Sequence, residues 1–117
     1  MAGLTTHVLD LASGVPGANI SIDLYRLEEG ERTWLKTAVT NQDGRIDQPF
    51  LETEAVKTGI YEFMFHIGDY YRAKGEVQHD PYFLEEVPVR FGIHIPYSSY
   101  HVPLLITPWG YQVYRGS

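Results

Sequence analysis

Alternation is the feature that most constrains this chain. In NISIDLYRL, Ile20, Ile22 and Leu24 are separated by Ser21 and Asp23. An extended backbone puts every second side chain on one face, so this run is a half-buried strand. GIYEFMFH repeats the pattern, with Tyr61, Phe63 and Phe65 set against Glu62, Met64 and His66. VPVRFGIHI aligns Val87, Val89, Phe91 and Ile93 against Arg90 and His94. YHVPLLIT puts Tyr100, Val102, Leu104 and Ile106 on one face and His101, Pro103 and Leu105 on the other. LTTHVLDL and WGYQVYRG also read as strands. The turn-forming stretches SGVPGAN, EEGE, NQDGR and TPWG separate the runs, and EEGE joins two strands as a hairpin. About seven or eight short strands at this spacing predict an all-β sandwich with Greek-key connections.

The exceptions to the pattern are few. GDYYRAKG offers one short helix, with Asp69 as its expected cap. HDPYFLEE reads as a loop. Pro88 and Pro103 fall inside strand patterns, which predicts edge positions or bulges for both. The 117 residues are read as a single domain, 1–117. Hydrophobic residues make up 44% and charged residues 21%, enough apolar material for a core. With no cysteine there is neither a disulfide nor a thiolate zinc site, and a reducing compartment is compatible. No secretory signal and no membrane span are read, so the expected location is cytoplasmic. The net charge of −6 argues against nucleic acid as a partner.

Some side chains sit where a plain sandwich does not need them. On the first strand Thr5, His7, Leu9 and Leu11 share one face; Leu4, Thr6, Val8 and Asp10 share the other. Neither face is clean. His101 lies among Pro103 and Leu105, and on the last strand Gln112 and Tyr114 share a face. A sandwich buries one face of each sheet. A second, partly apolar face asks for a partner subunit or a ligand. His66, His79 and His94 are read as surface or structural histidines. The spacing of His94 and His101 forms no metal motif.

Four pieces, taken in order, carry a resemblance: LTTHVLDLASGVPGANI, TNQDGR, YHVPLL and the terminal YRGS. Together they resemble the 5-hydroxyisourate hydrolases, the transthyretin-related enzymes of urate breakdown. YRGS is the most specific of them, since it separates the hydrolases from hormone-carrying transthyretins. The resemblance implies a transthyretin-like β-sandwich of two four-stranded sheets with one short helix. It implies a homotetramer, a dimer of dimers, whose channel holds the active sites. It implies a small-molecule substrate, 5-hydroxyisourate, opened to 2-oxo-4-hydroxy-4-carboxy-5-ureidoimidazoline, with no cofactor and no metal. His7, Arg45 and His101 then become the catalytic residues. His7 activates water, His101 positions and delivers a proton, and Arg45 stabilises developing negative charge. Tyr114, Gln112 and Ser117 are expected to contact substrate beside them, with Arg115 pinning the tail. The alternative is a transthyretin-like carrier without catalysis.

Overall fold

A computed structural model describes residues 3–116. Ser117, expected at the substrate, lies outside the described residues. Eight strands form in chain order: β1 (Leu4–Asp10), β2 (Val15–Pro16), β3 (Ser21–Glu28), β4 (Glu31–Val39), β5 (Gly59–Phe65), β6 (Val87–Ile93), β7 (Tyr100–Ile106) and β8 (Tyr111–Val113). One helix, α1 (Ile67–Ala73), follows β5, and a single 3-10 turn covers Thr53–Ala55. The strands make two four-stranded sheets, ordered β2-β1-β7-β8 and β4-β3-β5-β6. Every pairing is antiparallel except β1 with β7, which run parallel.

The apolar faces read from the alternation close on each other. Leu4 and Val8 of β1 and Leu104 and Ile106 of β7 are fully buried against Ile22, Leu24, Phe63 and Phe65 of the second sheet. Phe63 sits within aromatic contact of Phe50, with ring centroids 4.9 Å apart, and of Phe91, at 5.3 Å. Burying a side chain of this size contributes about 1.5–3 kcal/mol. The hairpin at EEGE turns through Glu29 and Gly30, both at positive φ.

The mixed inner face of β1 has a structural cause. Thr6 donates its hydroxyl to the Val102 carbonyl at 2.6 Å, satisfying it inside the sandwich. Asp10 is buried and anchors the helix to the sheet. Its carboxylate accepts from the Tyr70 and Tyr71 hydroxyls at 2.8 Å each, from Lys74 at 3.2 Å, and from the backbone N–H of Ala12 and Ser13. Burial alone would raise the Asp10 pKa. The donations from Tyr71, Tyr70, Lys74 and Ser13 outweigh it and hold the carboxyl below its ordinary value.

Two local expectations are corrected. The helix begins at Ile67, so Asp69 lies within its first turn and His66 occupies the cap position without a capping side-chain bond. Pro88 is on β6, an edge strand, as expected. Pro103 is on β7, which has a neighbour on each side. Proline is tolerated there because its missing N–H faces the loosely paired tail: β8 pairs regularly only through Val113, and Pro103 accepts from Tyr114 N–H at 3.4 Å.

Candidate active site

The outward face of the first sheet is built in rows across adjacent strands. In one row His7 of β1 stands beside Pro103 of β7, which stands beside Tyr114 of the tail. A β-bridge joins His7 on its other side to Arg45. In the next row Thr5 of β1 pairs with His101 of β7, and a second bridge joins His101 to Gly116. In a third, Leu9 pairs with Leu105 and Leu105 with Gln112. The parity read from the sequence therefore holds: these residues share one face. His7 and His101 lie on neighbouring strands offset by two residues, which sets their Cα atoms about 8 Å apart.

Arg45 reaches this face through the turn NQDGR. Asn41 organises the turn, its side-chain oxygen accepting from the N–H groups of Asp43 and Arg45. Gly44 has φ +76°, and a Cβ there would lie 2.3 Å from the Val8 carbonyl oxygen. Only glycine tolerates both that conformation and that approach. The turn is thereby pressed onto β1, where Val8 N–H donates to the Gly44 carbonyl at 2.8 Å. His7 Nε2 lies 2.9 Å from the Asp43 carbonyl oxygen. A carbonyl only accepts, so Nε2 carries the hydrogen, and the lone pair of neutral His7 is on Nδ1.

His101 is half-buried, with Nδ1 2.8 Å from the Thr5 hydroxyl. Burial lowers its pKa below the ordinary histidine value, and the charges of Arg45 and His7 lower it further. His7 is lowered by the same two leading causes, burial and then Arg45, with the Asp43 carbonyl opposing them. Both imidazoles are thus biased toward the neutral form, the form that can take a proton from water. A cavity of about 320 Å³ opens here, lined by Thr5, Thr6, Arg45, Ile46, Tyr100 and His101, with Ser99 at its rim.

The expected residues do not all meet in that cavity. Arg45 and His101 line it; His7 adjoins Arg45 through the bridge. Gln112 and Tyr114 are exposed and lie along the same face outside it. Tyr114 also borders a separate cavity of about 230 Å³ between the edges of β6 and β8. Arg115 does hold the tail: its guanidinium lies 4.4 Å from the centre of the Tyr100 ring. Thr5, the Asp43 carbonyl and Gly116 were not singled out by the sequence reading. No spacing rule marks them, because they act through cross-strand register. Among the described residues, no group of three or more metal-ligating side chains converges.

Known proteins share this architecture and much of this sequence. A 5-hydroxyisourate hydrolase 2 of Rhizobium meliloti (strain 1021) is 55% identical over 97% of this chain and 95% of that protein. The solved structure of Klebsiella pneumoniae 5-hydroxyisourate hydrolase superposes with TM-score 0.81 at 30% identity, covering the whole of both chains. An (S)-allantoin synthase crystal structure superposes with TM-score 0.90 at 41% identity; 99% of this chain is covered, but the chain spans only 44% of that protein. The family model described as HIUase/Transthyretin matches residues 4–116. The chain belongs to the HIUase/Transthyretin family.

Proposed function

We propose that this protein hydrolyses 5-hydroxyisourate, opening its six-membered ring at an amide to give 2-oxo-4-hydroxy-4-carboxy-5-ureidoimidazoline. One observation carries the reading beyond kinship. Two imidazoles and a guanidinium share one face, and the guanidinium favours the neutral form of both imidazoles. Amide hydrolysis needs a base for water, a counter-charge for the tetrahedral oxyanion and a proton for the leaving nitrogen.

His7 takes the proton from water through Nδ1, since Nε2 is committed to Asp43. The hydroxide adds to the ring carbonyl carbon, and Arg45 bears on the oxygen that becomes negative. As the carbon–nitrogen bond breaks, the proton that His7 took from water passes to the ring nitrogen through His101, both imidazoles return to neutral, and the carboxylic acid formed by ring opening ionises to a carboxylate. Tyr114 and Gln112 flank the substrate from the tail.

Assembly fits the same reading. β6 and β8 are each an edge strand of their sheet, and the cavity between them is largely apolar, with Val89, Phe91, Val102 and Val113 on its walls. Pairing of these edges with a second copy, and packing of two such dimers through the outward faces of their first sheets, would enclose His7, Arg45 and His101 in a channel. A cytoplasmic setting suits a cysteine-free chain; no helix among the described residues is long and apolar enough to cross a membrane.

The test is direct. Purified protein is mixed with substrate made in situ from urate and urate oxidase, and ultraviolet absorbance is followed against spontaneous decay. Accelerated decay, reduced about 10²- to 10⁴-fold by His7→Asn, is the expected result. Decay no faster than buffer from an assembled protein would leave a carrier.

A further inference from the structure

The geometry points to Thr5 and Gly116 as positioning residues that clamp the His101 imidazole between the first strand and the C-terminal tail. That His101 takes part in ring opening rests on the reading above; that its ring is clamped does not.

The clamp closes from two strands. On one side Thr5 is directly across from His101 in the parallel β1–β7 pair, and its buried hydroxyl meets Nδ1 at 2.8 Å. On the other, Gly116 donates its N–H to the His101 carbonyl at 2.8 Å. Its Cα then rests against the imidazole. A Cβ on Gly116 would lie 2.7 Å from His101 Cδ2, 3.2 Å from Pro103 Cγ and 3.4 Å from His101 Cγ. The first of these is closer than side chains approach, and Pro103, buried and rigid, leaves no retreat on its side. The ring already fills the space that a side chain at 116 would need.

Among the described residues, one of the two ring nitrogens has a partner. Nδ1 is held by Thr5, and Cδ2 lies against the glycine. Nε2 remains as the nitrogen that a reactant can reach. A hydroxyl can donate to Nδ1 or accept from it, so Thr5 holds the ring in either tautomer. Pro103 contributes at one remove. Its lack of an N–H interrupts the ladder beside Tyr114, so Gly116 grips His101 through a bridge of its own rather than as one rung among many. Gly116 is therefore a structural element of the site, glycine because the imidazole is there.

The experiment uses full-length Thr5→Val, Thr5→Ser and Gly116→Ala. Two readouts are taken: long-range ¹H–¹⁵N spectra of the imidazoles across pH, with His101 assigned by its loss in His101→Asn, and turnover of freshly generated 5-hydroxyisourate. In the unaltered protein His101 shows one set of imidazole resonances. Thr5→Val, which removes the bond to Nδ1, displaces those resonances and their titration, and kcat falls about 5- to 10-fold with KM nearly unchanged. Thr5→Ser restores both. Gly116→Ala displaces the His101 resonances, and kcat falls about 10²-fold, the cost of misplacing a catalytic group by roughly 1 Å. His101 signals and titration that match the unaltered protein in both Thr5→Val and Gly116→Ala overturn the clamp, whatever turnover does. Altered His101 signals with unchanged turnover uphold the clamp and remove His101 from the chemistry.

Discussion

Arg45 has two separable effects, and replacing it tests both. Its charge is, after burial, the leading cause that lowers the pKa of His7 and of His101. Its guanidinium also lies beside them and suits an oxyanion. Arg45→Ala should remove the oxyanion partner and lower the plateau of kcat about 10²- to 10³-fold, or about 2.7–4 kcal/mol in the barrier. Arg45 is exposed in the single chain, so water weakens its field and the lower end applies unless assembly buries it. The pH profile moves as well. A cation held near an imidazole opposes protonation, so removing it raises both histidine pKa values, and the acid limb of kcat/KM shifts to higher pH. Arg45→Lys separates the effects: it keeps the charge and the acid limb, but loses the planar fork and much of the rate. The assay is initial absorbance loss of fresh substrate from about pH 5 to 8. An alanine variant within about threefold of normal, with its acid limb unmoved, would refute the assignment of Arg45.

Asp10→Asn leaves two buried tyrosine hydroxyls and Lys74 competing for one oxygen. It should cost about 3 kcal/mol of stability, read as a lowered urea midpoint, while a loss under about 1 kcal/mol would show that the helix does not depend on this anchor. Acid should destabilise the fold in two stages. His7 and His101 titrate lower folded than unfolded, so from about pH 6.5 downward the unfolded chain binds protons that the native state does not, and stability declines until their depressed native values are passed. Asp10 and Asp23 are also depressed when folded; their contribution is present above the ordinary aspartate range and is lost as pH falls through their native values. Urea midpoints across pH should show the first stage vanish in the His7→Asn, His101→Asn double variant; if that stage persists, its origin lies elsewhere.

Much of this was legible because strands write their faces into the sequence. Ile22, Leu24, Phe63 and Leu104 had to point inward, and parity then sent His101 and Leu105 outward; His7 and Gln112 stood on strands without a clean apolar face, and the family resemblance chose their side. Parity says nothing of partners, however. The parallel pairing of β1 with β7 puts Thr5 beside His101, and only register across the sheet reveals it. Asp10 looked like a flaw in a strand because its five donors come from residues next to it and from a helix sixty residues away. Asp69 has the chemistry of a cap, but Ile67 is buried in the core and draws the helix start three residues earlier. The terminal YRGS was recognisable as a signature, yet the reason for its glycine is an imidazole in another strand.

The β1–β7 pairing also bears on how the protein is made. Thr5 and His101 are 96 residues apart, so the strand joining the first strand to the tail is made long after β1. Until then β1 is flanked on one side by the two-residue β2 and the bridges to Leu51 and Arg45, and its other edge stays open. Contacts of such long range form slowly, and an unpaired edge invites pairing with other chains in the meantime. A chain released early, short of its last strands, holds His7 and Arg45 but neither His101 nor the glycine against it. The site is complete only once the strand that carries His101 and the tail that carries Gly116 have been made.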